Sequence, residues 1–557
     1  MKKSILIGAI LLQAFFISAQ NQSSQGEEIE LPDVTTVVAG TVLTAGKDSI
    51  PDYSKIIPNE NDSEFALPKF ESKKQNEDIS GTSSQDENEK SVYAEGKIGG
   101  GFPFYFTGDF SVYRTTGNSP FAINFFHENA EGFVSKDVED GFFYRNTKID
   151  LKKQFFREKS EYDFSAFYKN DDRGFQLKST SFTDYLKNNF GGEAFASWKL
   201  TNDWNLSAKL NSSYYSRYGT TYPGAVSLND DFQKSAKIFS ISPEIDFGLK
   251  KSNFALNFSA KYQSQLNMKD SGTLQKAAYA TSAESTHRAN LGIDFAWTDE
   301  NVKLFGAVSA VVGTSIGNHN FLIPFILGTQ FNLKTPLSSR SAIFKIQGGI
   351  DSFLTLASIL EEKNPYSVLP SLPSEQSDWY ANFYASLPVK DFFDFDLNAE
   401  FRKTAFDNGF WQANYSDSTT LLASGFYRLQ QTNRTDFNSE AIFKFSLEQL
   451  RFSVGWKSYW LDVPYIEEGQ ALKGEFFYGA KDSAWEFGAS LKQFFASESD
   501  KTPVLDMNAS LKASPSIRLA LEATDIIKLI LNRSRAFASS EYVLDSSHIK
   551  MLVKFQF

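Results

Sequence analysis

The sequence predicts an all-β protein: a transmembrane antiparallel β-barrel of about 22 strands, preceded by a mostly disordered N-terminal periplasmic segment. Three observations predict this fold. From about residue 91 onward, apolar and polar residues alternate with period two. The alternating runs are roughly 9–17 residues long, against a usual five or six in globular sheets. Their connections alternate between short and long, which is typical of membrane barrels with short periplasmic turns and long outer loops.

The pattern of residues 1–19 is typical of a secretory signal peptide. Lys2 and Lys3 form a basic start, Ile5 to Phe16 is an apolar run, and Ser18-Ala19 offers a small-residue cleavage site. The alternative is a helical anchor, but the apolar run is too short to span a bilayer comfortably. We therefore expect the chain to be exported.

Residues 20–91 predict an acidic, largely extended periplasmic segment. Residues 20–90 hold 15 Asp or Glu against 6 Lys, and they account for most of the formal net charge of -11. Such a composition cannot bury enough apolar surface to fold alone. One β-prone run, residues 30–40, stands out; its core is Asp33, Val34, Thr35, Thr36, Val37 and Val38. Two interpretations stay open: a peptide that adds to a partner's sheet edge, or a β-prone patch in a linker.

The alternating pattern predicts that residues 92–557 form the barrel. In the runs at 379–387 and 393–402, most alternate residues are apolar and those between them are mostly polar, as expected of a strand with one dry face. An even strand number places both barrel ends on the periplasmic side. The predicted strands start near residues 92, 104, 119, 141, 160, 185, 203, 237, 253, 284, 301, 319, 340, 378, 393, 423, 451, 471, 485, 503, 516 and 549.

With 22 strands the barrel is similar to that of TonB-dependent outer-membrane receptors. The run Asn364-Pro365-Tyr366-Ser367-Val368-Leu369-Pro370, followed by Ser374-Glu375-Gln376-Ser377, resembles that family's loop consensus NP-x-L-x-PE before a strand pair. The last two strands, with a long loop between them, also resemble the family. A final strand that carries Phe555 and ends on Phe557 resembles the signal that the barrel-assembly machinery reads for insertion.

The resemblance implies a protein of the bacterial outer membrane, surrounded by its lipid, that binds or transports a solute. It also implies TonB as a partner, since residues 30–40 resemble either the box that pairs with TonB or the first strand of a plug. The sequence departs from the family because it lacks a conventional plug domain. Only about 70 residues separate the signal peptide from the first predicted strand, against about 130 for the family's plug.

The lumen of a 22-stranded barrel is too wide for its own side chains to fill. Three closures stay open: the N-terminal segment, infolded loops, or a periplasmic or outer-membrane partner protein that fills or caps the lumen. Two functions follow. One is a receptor or transporter closed by its N-terminal segment or a partner. The alternative is a plugless, non-transporting scaffold subunit of a larger outer-membrane complex.

No catalytic, cofactor or metal site is predicted. The four histidines are scattered without ligand spacing. The pairs His127 with Ser111 and His548 with Ser547 are of a kind that any strand-rich chain offers, so we expect no enzyme. The acidic clusters at 170–172 and 229–231 are predicted to be solvated loop residues rather than calcium ligands. Cysteine is absent, and no basic region suggests nucleic acid.

Overall fold

The computed structural model describes residues 92–556 except for short gaps at 116, 135, 222–234, 269–284, 317–320, 336–337, 416–420, 462–468, 480–482, 497–500, 537–539 and 545–546. The predicted signal peptide, the acidic segment and the run at 30–40 lie outside the described residues. So does Phe557. The boundaries proposed for these segments stay predictions.

Twenty-two strands form one sheet, the barrel wall. They are β1 (Tyr93–Phe102), β2 (Tyr105–Arg114), β3 (Phe121–Glu131), β4 (Phe143–Arg157), β5 (Ser160–Gly174), β6 (Phe182–Lys199), β7 (Trp204–Thr221), β8 (Ser235–Lys251), β9 (Phe254–Asn267), β10 (Ser285–Thr298), β11 (Val302–Gly313), β12 (Phe325–Lys334), β13 (Ser341–Phe353), β15 (Gln376–Lys390), β16 (Phe393–Thr404), β19 (Thr435–Leu447), β20 (Leu450–Leu461), β21 (Gln470–Tyr478), β22 (Trp485–Ala496), β23 (Val504–Ser514), β24 (Ile517–Thr524) and β27 (His548–Gln556).

Five shorter strands lie in the loops: β14 (Ser367–Val368), β17 (Phe410–Ala413), β18 (Tyr427–Thr432), β25 (Arg535–Ala536) and β26 (Val543–Leu544). The described residues also form helices α1 (Ala357–Lys363) and α2 (Ile526–Ile530), with 3-10 turns at Val138–Asp140 and Thr314–Ile316. Within this part of the chain, no helix has both the length and the apolarity needed to cross a membrane.

Each wall strand pairs antiparallel with its neighbours, and β27 pairs with both β24 and β1, which closes the barrel. The predicted fold and strand number are confirmed. Twenty of the predicted strand starts fall within three residues of the observed ones. The two exceptions are the strand predicted near 319, which begins at Phe325, and the one predicted near 423. At the latter position the chain forms the loop strand β18, and the wall strand β19 begins only at Thr435.

The two rims of the barrel differ in their connections. One rim, here named the short-turn end, has tight turns such as those at 158–159, 252–253, 391–392, 448–449 and 515–516. The opposite rim, the long-loop end, carries the connections at 175–181, 354–375, 405–434 and 525–547. The predicted alternation of short and long connections is therefore confirmed for these loops, and the two-residue turn 103–104 between β1 and β2 is a short exception at the long-loop end, as the sequence also indicated.

The wall has an apolar outer face and a polar inner face. On β10, Leu291, Ile293, Phe295 and Trp297 are all exposed, and Leu291 reaches 66%. The exposed residues on β24 and β27 follow the same alternation: Ile517, Leu519, Leu521, Ile549, Met551 and Val553. The opposite face carries polar groups joined across strands, such as Lys209 with Glu193 (2.7 Å) and Lys444 with Asp396 (2.6 Å). Strands that are apolar outside and polar inside are typical of barrels that face lipid.

Candidate functional site: the cap at the long-loop end

Four loops at the long-loop end pack on one another through their described residues, which are together named the cap: 175–181, 354–375, 405–415, 421–434, 525–536, 540–544 and 547. They share one hydrophobic core with the adjoining ends of β6, β7 and β8. Its buried members are largely aromatic: Phe175, Phe182, Tyr185, Tyr215, Tyr366, Trp411, Tyr415, Phe426, Tyr427 and Tyr542. The loops of this rim are therefore a packed unit, because aromatic side chains bury large areas.

Residues 354–375, named the strap, enter the cap through helix α1. Its residues Ala357 to Lys363 include good helix formers. The helix ends before Asn364-Pro365, since a residue that precedes proline disfavours the helical conformation. Ala357, Leu360 and Glu361 are buried on one face of this helix, which places a carboxylate among apolar side chains.

The strap then joins a small sheet inside the cap. Its strand β14 runs parallel to β18, which pairs antiparallel with β17. The amide of Tyr427 donates to the carbonyl of Tyr366 over 2.8 Å. The residues that were predicted to start a wall strand near 423 thus form cap structure. The prediction of a wall strand at this point was therefore wrong. An alternating pattern with aromatic residues is compatible with both the wall and the cap, so the pattern did not distinguish them.

The strap leaves β13 and lies against the inner wall of strands that are distant from it in the barrel. On β9, the side-chain nitrogen of Gln263 donates to the backbone carbonyl of Leu354 over 2.9 Å. The side-chain oxygen of Gln265 accepts from the backbone amide of Ala357 over 2.9 Å. Lys169 on β5 lies 3.5 Å from Glu362. The strap therefore extends from β13 as far as β5, eight strands around the wall.

A buried ion pair holds the helix of the strap to the wall and is named the first latch. The Arg217 guanidinium donates to the Glu361 carboxylate over 2.9 Å, and the two side chains are 0% and 1% exposed. The Tyr215 hydroxyl donates to the same carboxylate over 2.5 Å, and the amide of Leu369 donates to it over 3.0 Å. The Lys187 ammonium donates to the Glu361 carbonyl over 2.6 Å. Four donors from two wall strands and the strap thus surround one residue.

A second buried ion pair, the second latch, holds the far end of the strap. The Arg288 guanidinium on β10 donates to both oxygens of Glu375 over 2.9 and 3.1 Å, and Glu375 is 0% exposed. The Ser352 and Ser315 hydroxyls donate to the same carboxylate over 2.7 and 3.3 Å. Loss of one partner of such a pair costs about 3–5 kcal/mol, because a buried charge is left without compensation.

The remaining loops bridge the rim from other directions. Gln176 exchanges two hydrogen bonds of 2.9 Å with the backbone of Val543. The rings of Tyr366 and Tyr542 stack with centroids 3.8 Å apart, and the Tyr542 hydroxyl donates to the carbonyl of Gly425. Loops that follow β5, β13, β16 and β24 therefore meet over the lumen. Of the three closures that the sequence left open, the structure shows infolded loops at this rim.

The cap interior is dry enough to disfavour charge on its phenols. Burial raises the pKa of Tyr366 to about 12. Burial also raises the pKa of Tyr415 and of Tyr542 above the ordinary tyrosine value. All three residues lie in the loops rather than in the wall. Their phenols stay neutral at physiological pH and act as hydrogen-bond donors and packing surfaces.

The motif that suggested the family resemblance lies in the strap. Asn364 to Pro370 follows helix α1, and Glu375 is the carboxylate of the second latch, directly before β15. Sequence reasoning missed Glu361, Arg217 and Arg288. An acidic residue on the apolar side of a short helix is a signal that could have found Glu361. The two arginines look like ordinary lumen residues.

The terminal aromatic signal is only partly described. Phe555 lies on β27, opposite Ile517 of β24 and Gly96 of β1, with its ring centroid 5.8 Å from that of Phe110. This position is at the closing seam of the barrel. Its role in insertion, and that of Phe557, stay predictions.

No hydrogen bond joins either nominated Ser–His pair in the described part of the chain. The Ser111 hydroxyl donates to Asn124, and His127 bonds Thr147. Ser111 and His127 belong to opposite faces of the wall by register, since His127 pairs with Gly108. The ring of His548 stacks on Tyr105 with centroids 4.4 Å apart.

No metal site is found in the described ranges, where no group of three carboxylate or imidazole ligands converges. Residues 170–172 were predicted in a loop, and this prediction was wrong because they lie within β5. Asp171 pairs with Arg173 at 2.8 Å and Asp172 with Arg145 at 3.4 Å. Polar residues near the rim of a long strand resemble a loop in sequence. The cluster at 229–231 lies in a gap of the described chain.

No family model and no curated protein matches this sequence. Solved structures do match its fold. The FrpB iron transporter from Neisseria meningitidis (F5-1 variant) has a TM-score of 0.62 at 10% identity, over 84% of this chain and 82% of that chain. The copper transporter OprC has a TM-score of 0.59 at 10% identity, over 84% and 80%. The siderophore receptor PirA from Acinetobacter baumannii has a TM-score of 0.58 at 9% identity, over 84% and 80%. This chain thus shares the closed-barrel fold of known metal and siderophore transporters and receptors.

Proposed function

We propose that this chain is a receptor or transporter of the bacterial outer membrane, closed at the long-loop end by the cap. In this proposal the N-terminal segment or a partner protein closes the short-turn end. The observation that carries the proposal is the strap, which crosses from β13 to β5 and is held by two buried ion pairs. If the strap covers the lumen, a solute can pass only after the strap has moved, so the barrel needs a mechanism that controls this movement.

The membrane assignment is supported by the wall. An outer surface of exposed large apolar side chains on neighbouring strands would promote aggregation in water but suits lipid. The inner surface carries cross-strand ion pairs and suits a water-filled lumen. In a bacterial outer membrane the long loops would face outward and the short turns would face the periplasm.

The chemistry of the latches favours a movable cap over a permanent lid. A buried ion pair contributes less net stability than apolar side chains of similar volume, because both charges lose their hydration. A cap held by Glu361 and Glu375 is specific in position, yet it can be released by groups that compete for the arginines. The iron, copper and siderophore transporters that share the fold make solute transport the natural use of such a gate.

Energised opening would need a periplasmic partner. We propose that residues 30–40, with the core Asp33 to Val38, engage TonB by adding a strand to its sheet. A purified periplasmic domain of TonB should bind the full chain and lose binding when residues 30–40 are deleted. Unchanged binding by the deleted chain would remove this part of the proposal.

Conductance in planar lipid bilayers tests the closure. The full chain is expected to conduct little. Substitution of both latch arginines, Arg217→Met and Arg288→Met, opens the long-loop end, and deletion of residues 20–90 removes the proposed closure of the other end. Large conductance should appear only when both changes are combined. If the deletion adds nothing to the latch variant, the N-terminal segment does not close the barrel and a partner is required.

The scaffold alternative gives a different result in the same experiment. A non-transporting subunit would show no conductance change in any variant and would co-purify stoichiometrically with other outer-membrane proteins in mild detergent. The combination of a silent double variant and a stable complex would overturn the transport proposal.

A further inference from the structure

We propose that the inner wall beneath helix α1 is an anion-binding site, and that Glu361 and Glu362 of the strap occupy it as internal ligands when the cap is closed. The site comprises Lys169 on β5, Lys187 on β6, and Tyr215 and Arg217 on β7. This inference rests on the proposed function, because it treats the cap as a gate. It adds the chemical class of the solute, a carboxylate- or phosphate-bearing anion, and the way in which the solute acts on the gate.

The register of the wall brings two cations face to face. Lys187 and Arg217 are direct partners on the neighbouring strands β6 and β7. Like charges opposite each other on a sheet repel and destabilise it. Here Glu361 lies between them, with its carboxylate on Arg217 at 2.9 Å and its carbonyl on Lys187 at 2.6 Å. The two cations therefore form a site for an anion, and the Glu361 carboxylate of the strap is the anion that binds there.

The wall supplies one carboxylate near this site, Asp171, which is the register partner of Lys187 and is also ion-paired with Arg173 at 2.8 Å. Further along β6 and β7, Lys209 has a carboxylate partner within the wall, Glu193 at 2.7 Å. At Arg217 the carboxylate at 2.9 Å is Glu361, which belongs to the strap and not to a wall strand.

The donors suit an anion with several oxygens. A guanidinium, an ammonium and a phenol converge on one residue, and Lys169 lies 3.5 Å from the neighbouring Glu362. Charge-assisted hydrogen bonds from such groups to carboxylate or phosphate are among the strongest in proteins. A polyvalent anion can engage all three cations at once, whereas each strap carboxylate engages only some of them.

Competition would couple binding to opening. The solute and the strap carboxylates cannot occupy the same donors together, so an anion binds only the state in which the strap has moved. A ligand shifts a conformational equilibrium by its differential affinity for the two states. An anionic solute that enters the rim therefore raises the open population, and closure of the cap in turn expels the anion.

The absence of cysteine makes an opening assay direct. Ala357 is 1% exposed in the cap core, so an Ala357→Cys variant reports opening through its rate of reaction with a maleimide. Pyrophosphate and citrate serve as probes for phosphate and carboxylate chemistry, with ionic strength held constant by sodium chloride. We expect either probe, or both, to raise the labelling rate saturably, by at least threefold.

Three further variants in the same background locate the effect. Glu361→Gln with Glu362→Gln removes the internal ligands, so the basal labelling rate should rise and probe affinity by calorimetry should increase at least tenfold. Arg217→Gln should also raise basal labelling but lose probe binding. Lys209→Gln, the matched control on the strand of Arg217, should change neither.

Two results would overturn the inference. One is the absence of pyrophosphate and citrate binding to the Glu361→Gln, Glu362→Gln chain, in which no strap carboxylate competes. The other is probe binding that survives Arg217→Gln or leaves the labelling rate unchanged. If conductance still rises when the latch substitutions are combined with deletion of residues 20–90 while no anion binds, the gate stands and only the anion site fails. If conductance also stays unchanged, the proposed function fails with it.

Discussion

The second latch gives the sharpest test of how the cap is held. Arg288 donates to both oxygens of Glu375, and its side chain is 6% exposed. Arg288→Met keeps the side-chain volume and removes the charge. The Glu375 carboxylate then stays buried and keeps the hydrogen bonds from the Ser352 and Ser315 hydroxyls, but it has lost its cation.

The expected cost follows from burial. Removing one partner of a buried, hydrogen-bonded ion pair destabilises by about 3–5 kcal/mol. Each 1.4 kcal/mol corresponds to about a tenfold change in an equilibrium constant, so the open population of the cap should rise by roughly two to three and a half powers of ten. Adding Glu375→Gln to Arg288→Met should recover much of this loss, because a neutral amide no longer carries a buried charge.

Maleimide labelling of an Ala357→Cys background measures the open population, and bilayer conductance of the same variants in a chain that lacks residues 20–90 gives an independent reading. Arg340→Met is the control: Arg340 pairs with Asp394 at 2.8 Å at the short-turn end but is 48% exposed, so its loss should cost no more than about 1 kcal/mol. The reasoning would be refuted by a folded Arg288→Met barrel with wild-type labelling. It would also be refuted if the double variant opened as widely as the single one.

Three further outcomes are expected. Raising the pH from about 10 to about 12 should open the cap, because burial raises the pKa of Tyr366 to about 12. The neutral phenol stabilises the closed cap fully below the ordinary tyrosine pKa. This stabilisation is lost as the pH rises through the raised pKa of Tyr366. Tyrosinate absorbance in parent and Tyr366→Phe chains measures this, and an ordinary titration of Tyr366 would contradict it. Gly425→Ala should loosen the cap by about 1–3 kcal/mol, since φ is +84° and a Cβ would lie 2.6 Å from the nearest ring atom. Gly474→Ala, with no atom within 4 Å, is the labelling control, and equal labelling rates would count against packing at Gly425. Leu291→Arg on the outer face should lower the free energy of unfolding in lipid by about 2–4 kcal/mol if it lies near the bilayer midplane. Urea titration should show a much smaller change for Asn290→Arg on the inner face, and the reverse order would invert the assignment of faces.

Sequence patterns located the wall strands well and the cap poorly. Period-two alternation arises within a strand, so local reading placed twenty strand starts within three residues. The same pattern at Tyr427–Thr432 was assigned to the wall, although these residues pair with β14 and β17 in the cap. Aromatic residues face lipid in one setting and a loop core in the other. Alternation alone does not distinguish the two.

The latches depend on contacts that no local pattern records. Arg217 and Glu361 are 144 residues apart, and Arg288 and Glu375 are 87 residues apart. The motif at Asn364 to Ser377 marked the strap as a distinct loop and included Glu375. It did not indicate that the loop folds inward. That outcome depends on the length of the strap and on which wall residues face it.

The sequence by itself determined that this chain forms a closed barrel of 22 strands with short turns at one rim and long loops at the other. Strand alternation and connection length are local properties, and an even strand number follows from counting them. Only the tertiary structure decided that the long loops fold together at their rim. This packing comes from aromatic side chains of four separate loops and from two wall arginines that bind carboxylates of one strap. Those partners are far apart in the sequence and meet only in the folded barrel.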